Sequence, residues 1–390
     1  MSTSTTSSGG SPRSAPGRPP PPVPGSPRFL FSIEGVRYEA IRELMVTPSG
    51  ESVLLAHRHG LEGGLPGLCV VRRLPSPSTS LRRKRLVEEI KLAFRLNHPG
   101  IAQVFQLKSH QGDPHVIMEY VPGPSLETLV SAGVARCQPV SESFALYVGT
   151  ELAEALHHAH TLTDEEGKGL GIIHRDVSPR HVFVGTHGGV KLTNFGVAFS
   201  LMAFRMVSPE SLVRGDVAYA SPEYMERMPL TPRSDIFSLG VLLVELLTGT
   251  HLFDVQDAPR EPAGMRPLHS ETFPSLPLPQ MQVLLSRFGP ADVERAVATL
   301  APDVKSLLHM ALRVNPEERF ATAADLRDAL RAVLAQRSPG YGRQEASGEV
   351  ARVLAEGSGM RDVVEFGEAG LFPEGLDAHE LEALVKKNKK

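Results

Sequence analysis

Between Tyr38 and Leu74 apolar side chains come in short runs, "ESVLLAHR" and "GLCVVRRL", separated by glycine and polar residues, which is the spacing of strands rather than helices. The period then changes. In "SLRRKRLVEEIKLAFRLN" apolar residues recur at Leu86, Ile90 and Phe94, with Val87 and Ala93 on the same face, and this predicts one amphipathic helix. A strand pair flanks "SHQGDP", and beyond "EYVPGPSL" the pattern is mainly helical. The segments "SESFALYVGTELAEALHHAHTL" and "SDIFSLGVLLVELLTG", the latter closed by Gly249, are the clearest helices. "SLLHMALRVNPEERFATAADLRDALRAVLAQ" closes the region. A small sheet with one helix, followed by a larger helical part, is an α+β chain of two lobes.

The ends differ in composition. Residues 1–28 are Ser, Thr, Gly and Pro with almost no bulky apolar side chain, so they are expected to form a disordered arm. The domain is expected to span 29–337, with a small lobe over about 29–119 and a large lobe over about 122–337. A C-terminal tail, 338–390, holds the amphipathic segment "QEASGEVARVLAEG" and an acidic, glycine-punctuated end. The Pro-rich stretch from Ala258 to Gln280 reads as an extended surface loop.

With 390 residues and 41% apolar side chains, the chain has the material for one large core or two modest ones. Its net charge of -3 gives no general attraction to nucleic acid or anionic membrane. Only Cys69 and Cys137 are available, too few for a disulfide framework, which suits a reducing cytoplasm. The longest apolar run, Leu239 to Leu247, is interrupted by Glu245 and is too short to span a bilayer.

Two loops carry the candidate chemistry: "GLGIIHRDVSPRHVFV" (169–184) and, after it, "VKLTNFGVAFS" (190–200). With "CVVRRL", "VEEIKLAF", "ASPEY", "RSDIFSLG" and "NPEERF" in order along the chain, they resemble the motifs of bacterial members of the Ser/Thr protein kinase family, over roughly Phe31 to Gln336. The resemblance implies a two-lobed protein kinase-like fold. It also implies roles: Asp176 at the catalytic base, His174 and Arg175 beside it, Arg72 at the phosphate-binding lysine and Glu89 at its helix partner.

Several of these positions depart from what phosphoryl transfer needs. The nucleotide-loop glycines fall at Val46, Pro48 and Glu51, with Gly50 the only glycine nearby. Arg72 keeps a positive charge but is a larger, rigid fork in place of an ammonium. The metal-binding asparagine and aspartate are replaced by His181 and Asn194, and neutral imidazole and amide are weak partners for magnesium. No metal site is therefore expected. The resemblance assigns the adenine pocket to Val53, Val70, Met118, Glu119, Val121 and Phe183, where Val70 and Phe183 add volume to a packed slot. The architectural positions are filled as in the family: Asp235 bracing the catalytic loop, Glu223 with Arg319 as a buried ion pair, and Ala93, Val104, His174 and Phe195 as a hydrophobic column. Ala93 is small for that column, which leaves it thin at the helix unless the neighbouring Phe94 fills in.

What holds such a domain together is present, and what handles ATP and magnesium is mostly replaced. The expectation is a pseudokinase: a cytoplasmic scaffold or allosteric regulator that binds protein partners, such as an active kinase or its substrate, and neither nucleic acid nor membrane. No cofactor is expected, although the hinge candidates leave room for weak ATP binding. Two alternatives stand beside it, a weak or atypical ATP-dependent Ser/Thr kinase using Asp176 and Arg72, and a metal-independent nucleotide switch. Lesser signals have plain readings: "ALHHAH" as partly buried structural histidines, Ser208 and Ser211 as loop serines, "FPSLPLP" as a solvated loop, and Leu376, Leu381, Leu384 and Val385 as a short amphipathic end.

Overall fold

The computed structural model describes residues 28–46, 52–60, 67–74, 90–195, 216–253 and 278–358. Pro48, Gly50 and Glu51 of the nucleotide loop, Leu86, Val87, Glu89, Ser208, Ser211, nearly all of the Pro-rich stretch, the N-terminal arm up to Pro27 and the Leu376 to Val385 segment lie outside them.

The small lobe is an antiparallel sheet in the order β1-β2-β3-β4-β6-β5. Its strands are β1 (Arg28–Ile33), β2 (Val36–Val46), β3 (Ser52–His59), β4 (Gly67–Arg73), β5 (Val104–His110) and β6 (Asp113–Glu119). Two of its hairpins turn on two residues with positive φ: Glu34 and Gly35 at 48° and 82°, and Gln111 and Gly112 at 53° and 87°. These are type I′ turns, whose twist matches the strands they join, and glycine fills the second position where a side chain is strained. The first hairpin begins the sheet earlier than the strand-like pattern from Tyr38 suggested, and Phe31 and Tyr38 bury its inner face.

Helix α1, described over 90–95, divides its contacts. Ile90 and Ala93 pack with Val104 and Val116, while Leu92 and Leu96 belong to the large-lobe core. Phe94 is 37% exposed, so it does not fill the hydrophobic column. Nor do the four column positions form one apolar cluster, since Ala93 and Val104 join one and Phe195 another.

The large lobe is built on α3 (Glu142–Thr161) and α5 (Arg233–Thr248). Ser141 caps α3 by accepting the Phe144 N–H, and α5, apolar on nearly every side, is buried through most of its length and closed by Gly249 at φ 71°. Around them lie α2 (Leu126–Ala135), the hairpin β7 (Val182–Val184) and β8 (Val190–Leu192), α4 (Pro222–Met225), α6 (Leu278–Arg287), α7 (Pro290–Ala296), α8 (Pro302–Ala311) and α9 (Ala323–Arg337), which opens with a Thr322–Asp325 capping box. The helical start of α6 at Leu278 shortens the expected Pro-rich loop.

The boundary placed at 337/338 does not coincide with a break in packing. Helix α10 (Arg343–Ser358) buries Ala346, Val350, Val353 and Leu354 in the large-lobe core, and its Glu349 accepts hydrogen bonds from Ser141 N–H at 2.6 Å, Ser141 Oγ at 2.5 Å and Tyr341 OH at 3.0 Å. Ser347 Oγ donates to the Thr186 carbonyl, and Thr186 N–H donates to Pro122, so α10 supports the crossing between the lobes from behind. A Cβ on Gly188 would meet the Arg343 carbonyl at 1.8 Å, so Gly188 is required there. Hydrogen bonds to an ionised group contribute about 1.5–3 kcal/mol. Glu349→Ala is therefore expected to lower stability by about that amount, read as a lower urea midpoint with an unchanged slope.

Candidate functional site

The loop 174–181 is held from below by Asp235, on the first turn of α5. Its carboxylate, 0% exposed, accepts the His174 and Arg175 N–H groups at 2.8 and 2.9 Å and lies 2.8 Å from His160 Nε2. Burial pushes the Asp235 carboxyl up, but the His160 hydrogen bond and the backbone donors outweigh it and hold it low. This brace lets Arg175 keep φ at 70°, a left-handed conformation costly for its side chain. The partner, His160, is one of the histidines of "ALHHAH" read as partly buried and structural. His158 of the same motif stacks on His98 instead, with ring centroids 4.9 Å apart.

His174 is fully buried, and burial above all keeps its imidazole neutral. Its Nε2–H donates to the Thr193 carbonyl at 2.9 Å and its Nδ1 accepts the Asp176 N–H at 3.2 Å, which fixes the tautomer. Phe195 packs edge-on against the ring, with centroids 4.4 Å apart. Asn194 itself sits at φ 66°, a conformation that asparagine and aspartate tolerate better than other side chains.

The Asn194 amide does more than turn the chain. Arg72 Nη1 donates to Asn194 Oδ1 at 2.9 Å, which orients the amide, and Asn194 Nδ2 then donates to Asp176 Oδ2 at 3.1 Å. His181 Nε2 lies 3.0 Å from the same carboxylate oxygen and donates to it, and the Asp216 N–H donates to Asp176 Oδ1 at 2.9 Å. Three donors thus occupy most of the carboxylate's roughly four acceptor sites, and the Asp176 side chain is 4% exposed. Burial raises the Asp176 carboxyl, while the hydrogen bond from His181 and the Asp216 N–H hold it well below the usual range. The arrangement brings together Arg72, Asp176, His181 and Asn194, four residues singled out from sequence.

The other predicted positions line the lobe interface. Val53 pairs with Arg72 between β3 and β4, and Val70 with Met118 between β4 and β6. Glu119 accepts the Gln103 N–H at 3.1 Å and forms an ion pair with Lys191 at 2.9 Å; Val121 is buried, and Phe183 bridges to Ser125. Below the loop, Arg319 makes a two-pronged pair with Glu223 at 2.7 and 2.8 Å. Arg175 Nη2 donates to Tyr224 OH at 3.3 Å and its guanidinium lies over the tyrosine ring. Cys69 and Cys137 are free thiols. Among the described residues no group of three His, Cys, Asp or Glu is placed to hold a metal, and no helix is long and apolar enough to cross a membrane.

A curled antiparallel sheet over a helical lobe, with an Asp-braced His-Arg-Asp loop between them, is the architecture of a protein kinase domain, and residues 69–330 match the protein kinase domain family. This chain belongs to the protein kinase family. It is 29% identical over 308 residues to the tyrosine-protein kinase MasK of Myxococcus xanthus, covering 78% of this chain and 44% of that protein. It is 30% identical over 256 residues to the serine/threonine-protein kinase PknB of Mycolicibacterium smegmatis (64% and 35%), and 29% over 243 residues to PrkC of Bacillus subtilis (62% and 32%). The chain therefore spans less than half the length of these relatives.

Proposed function

We propose that this domain does not transfer phosphate and works as a protein-binding scaffold or allosteric regulator, a pseudokinase in a signalling system. The observation that carries the reading is the Asn194 amide bonded on one side to Arg72 and on the other to Asp176. In a kinase the strand cation serves nucleotide phosphates and the turn carboxylate holds magnesium. Here the cation serves the turn, and the turn offers the base an N–H donor.

These residues do not fit magnesium. The ion needs hard anionic oxygens in octahedral array, whereas Asn194 is neutral and has both amide ends engaged, His181 is an imidazole, and the remaining carboxylate, Asp176, already accepts three donors. No reaction step is derived through it. Protein partners, an active kinase or its substrate among them, are then the means by which such a domain acts.

Thermal unfolding with and without millimolar ATP, in magnesium and in EDTA, tests this. A ligand at about 100 times its Kd adds about 2.7 kcal/mol of stability. No shift is expected in either buffer. A magnesium-dependent shift accompanied by phosphate transfer that Asp176→Ala abolishes would replace this reading with an atypical Ser/Thr kinase. A shift in EDTA alone would favour the metal-independent nucleotide switch.

A further inference from the structure

Asp176 is sealed by a backbone group whose own position has to be explained. The Asp216 N–H reaches Asp176 Oδ1, so the turn that follows rests on the buried carboxylate. One hydrogen bond alone would let the 216–219 turn lift away. Arg180 stands against that. It belongs to the single 3-10 turn Pro179–His181 of the catalytic loop, and its Nη2 lies 3.1 Å from Asp216 Oδ2 and 3.8 Å from Glu127 Oε1 on the first turn of α2. Asp216 meanwhile caps the turn Val217–Tyr219 by accepting the Ala218 N–H at 3.2 Å.

Three separate elements, α2, the catalytic loop and the 217–219 turn, thus meet at one guanidinium. Exposure falls inward along the chain of contacts: 37% for the Arg180 side chain, 27% for Glu127, 9% for Asp216 and 4% for Asp176. The outer groups meet solvent and the inner carboxylate does not. Burial raises the Glu127 carboxyl and Arg180 opposes the rise, so the ion pair offsets part of what placing a carboxylate there costs.

We propose that Glu127, Arg180 and Asp216 form a latch that holds the 216–219 turn on Asp176, closing the carboxylate to solvent and to any incoming hydroxyl. The inference rests on the pseudokinase reading and deepens it, because the latch blocks Asp176 by a route independent of the metal positions. Restoring Asn194→Asp and His181→Asn would leave it shut.

Carbodiimide-driven amidation of carboxyl groups in the full chain, read at Asp176 by peptide mass spectrometry, tests the latch. Asp176 is expected to label poorly in the wild type and several-fold more in Arg180→Ala, with Arg180→Lys between them because an ammonium keeps the charge without the planar guanidinium geometry. Asp235, fully buried, serves as the internal reference and stays unlabelled while the fold is intact. If Arg180→Ala exposes Asp235 as well, wild-type labelling at 1 M salt decides, since a Debye length of about 3 Å screens the part-exposed Arg180 contacts. A salt-driven rise at Asp176 alone supports the latch. Equal labelling of Asp176 in wild type and Arg180→Ala, or no response to salt in the case just named, overturns it. Phosphate transfer by the wild-type chain would overturn the pseudokinase reading alone, and the labelling result stands separately from it.

Discussion

Replacing Arg319 by alanine is expected to lower the unfolding free energy by about 3–5 kcal/mol, the cost typical of removing one partner of a buried ion pair. Arg319 is 4% exposed and spends all its donors internally: on both oxygens of Glu223, on the carbonyls of Arg313, Arg233 and Val314, and with its guanidinium 4.9 Å from the Phe237 ring centroid. Alanine would leave Glu223 buried with the Ser234 hydroxyl as its remaining side-chain partner and would strip three carbonyls of a donor. Burial raises the Glu223 carboxyl and Arg319 outweighs that effect, so its low value depends on the residue removed. At roughly 2–4 °C per kcal/mol for domains of 150–250 residues, the midpoint should fall on the order of 10 °C. Arg319→Met with Glu223→Gln should recover much of the loss, because no unpaired charge stays buried. A double variant no better than Arg319→Ala alone would show that the carbonyl contacts, and not the stranded carboxylate, carry the cost.

That pair was legible in the sequence, as were Asp235 and the His174–Phe195 contact, because each sits at a fixed place in a motif and serves the backbone. Side-chain direction was not legible. Nothing in the order of residues says that Arg72 ends on Asn194, since the two are 122 positions apart and their meeting depends on how the lobes close. The partner of His160 was hidden for a related reason: it lies among four residues of "HHAH", and only the three-dimensional path of α3 distinguishes the one that faces Asp235. The place of Phe94 was left open because helical spacing marks a face without saying how far the neighbouring lobe extends over it. Helix α10 looked like a tail by composition, where Gly348 and Gly357 weaken a helix considered alone. Packing overrides that propensity, and Gly357 is one of the contacts, since a Cβ there would meet Ala132 at 2.9 Å.

The same loop therefore serves two networks of different character. Beneath it, Asp235, Glu223 and Arg319 satisfy buried charge with opposite charge or backbone donors, and removing any one strands another. Above it, Asn194, His181 and the Asp216 N–H satisfy Asp176, and Arg72 orients the Asn194 amide. The lower network accounts for why the domain keeps its shape. The upper one joins Arg72, Asn194 and His181 to Asp176, the contacts on which the proposed loss of phosphate transfer rests.

Glu245→Gln is expected to stabilise the chain above neutral pH, by up to about 3 kcal/mol. Glu245 lies within α5 at 1% exposure, and Tyr219 OH donates to it at 2.5 Å. Burial raises its carboxyl to about 7; the tyrosine hydrogen bond works against this, and the charges of Asp216 and Glu127 add to it. A glutamate whose folded value lies above its unfolded one, near 4.5, gives the fold its full support below pH 4.5, where it is protonated in both states. That support is lost as pH rises toward 7 and levels off beyond, and the gap from about 4.5 to about 7 corresponds to about 3 kcal/mol. Glutamine keeps an acceptor for Tyr219 and carries no charge. In urea unfolding, the stability difference between Glu245→Gln and wild type should therefore be small at pH 4.5, grow through pH 6 and flatten above about 7, with other titrating groups cancelling between the two chains. A difference that does not change between pH 4.5 and 8 would mean that Glu245 titrates as an ordinary carboxylate, so that Tyr219 alone offsets its burial.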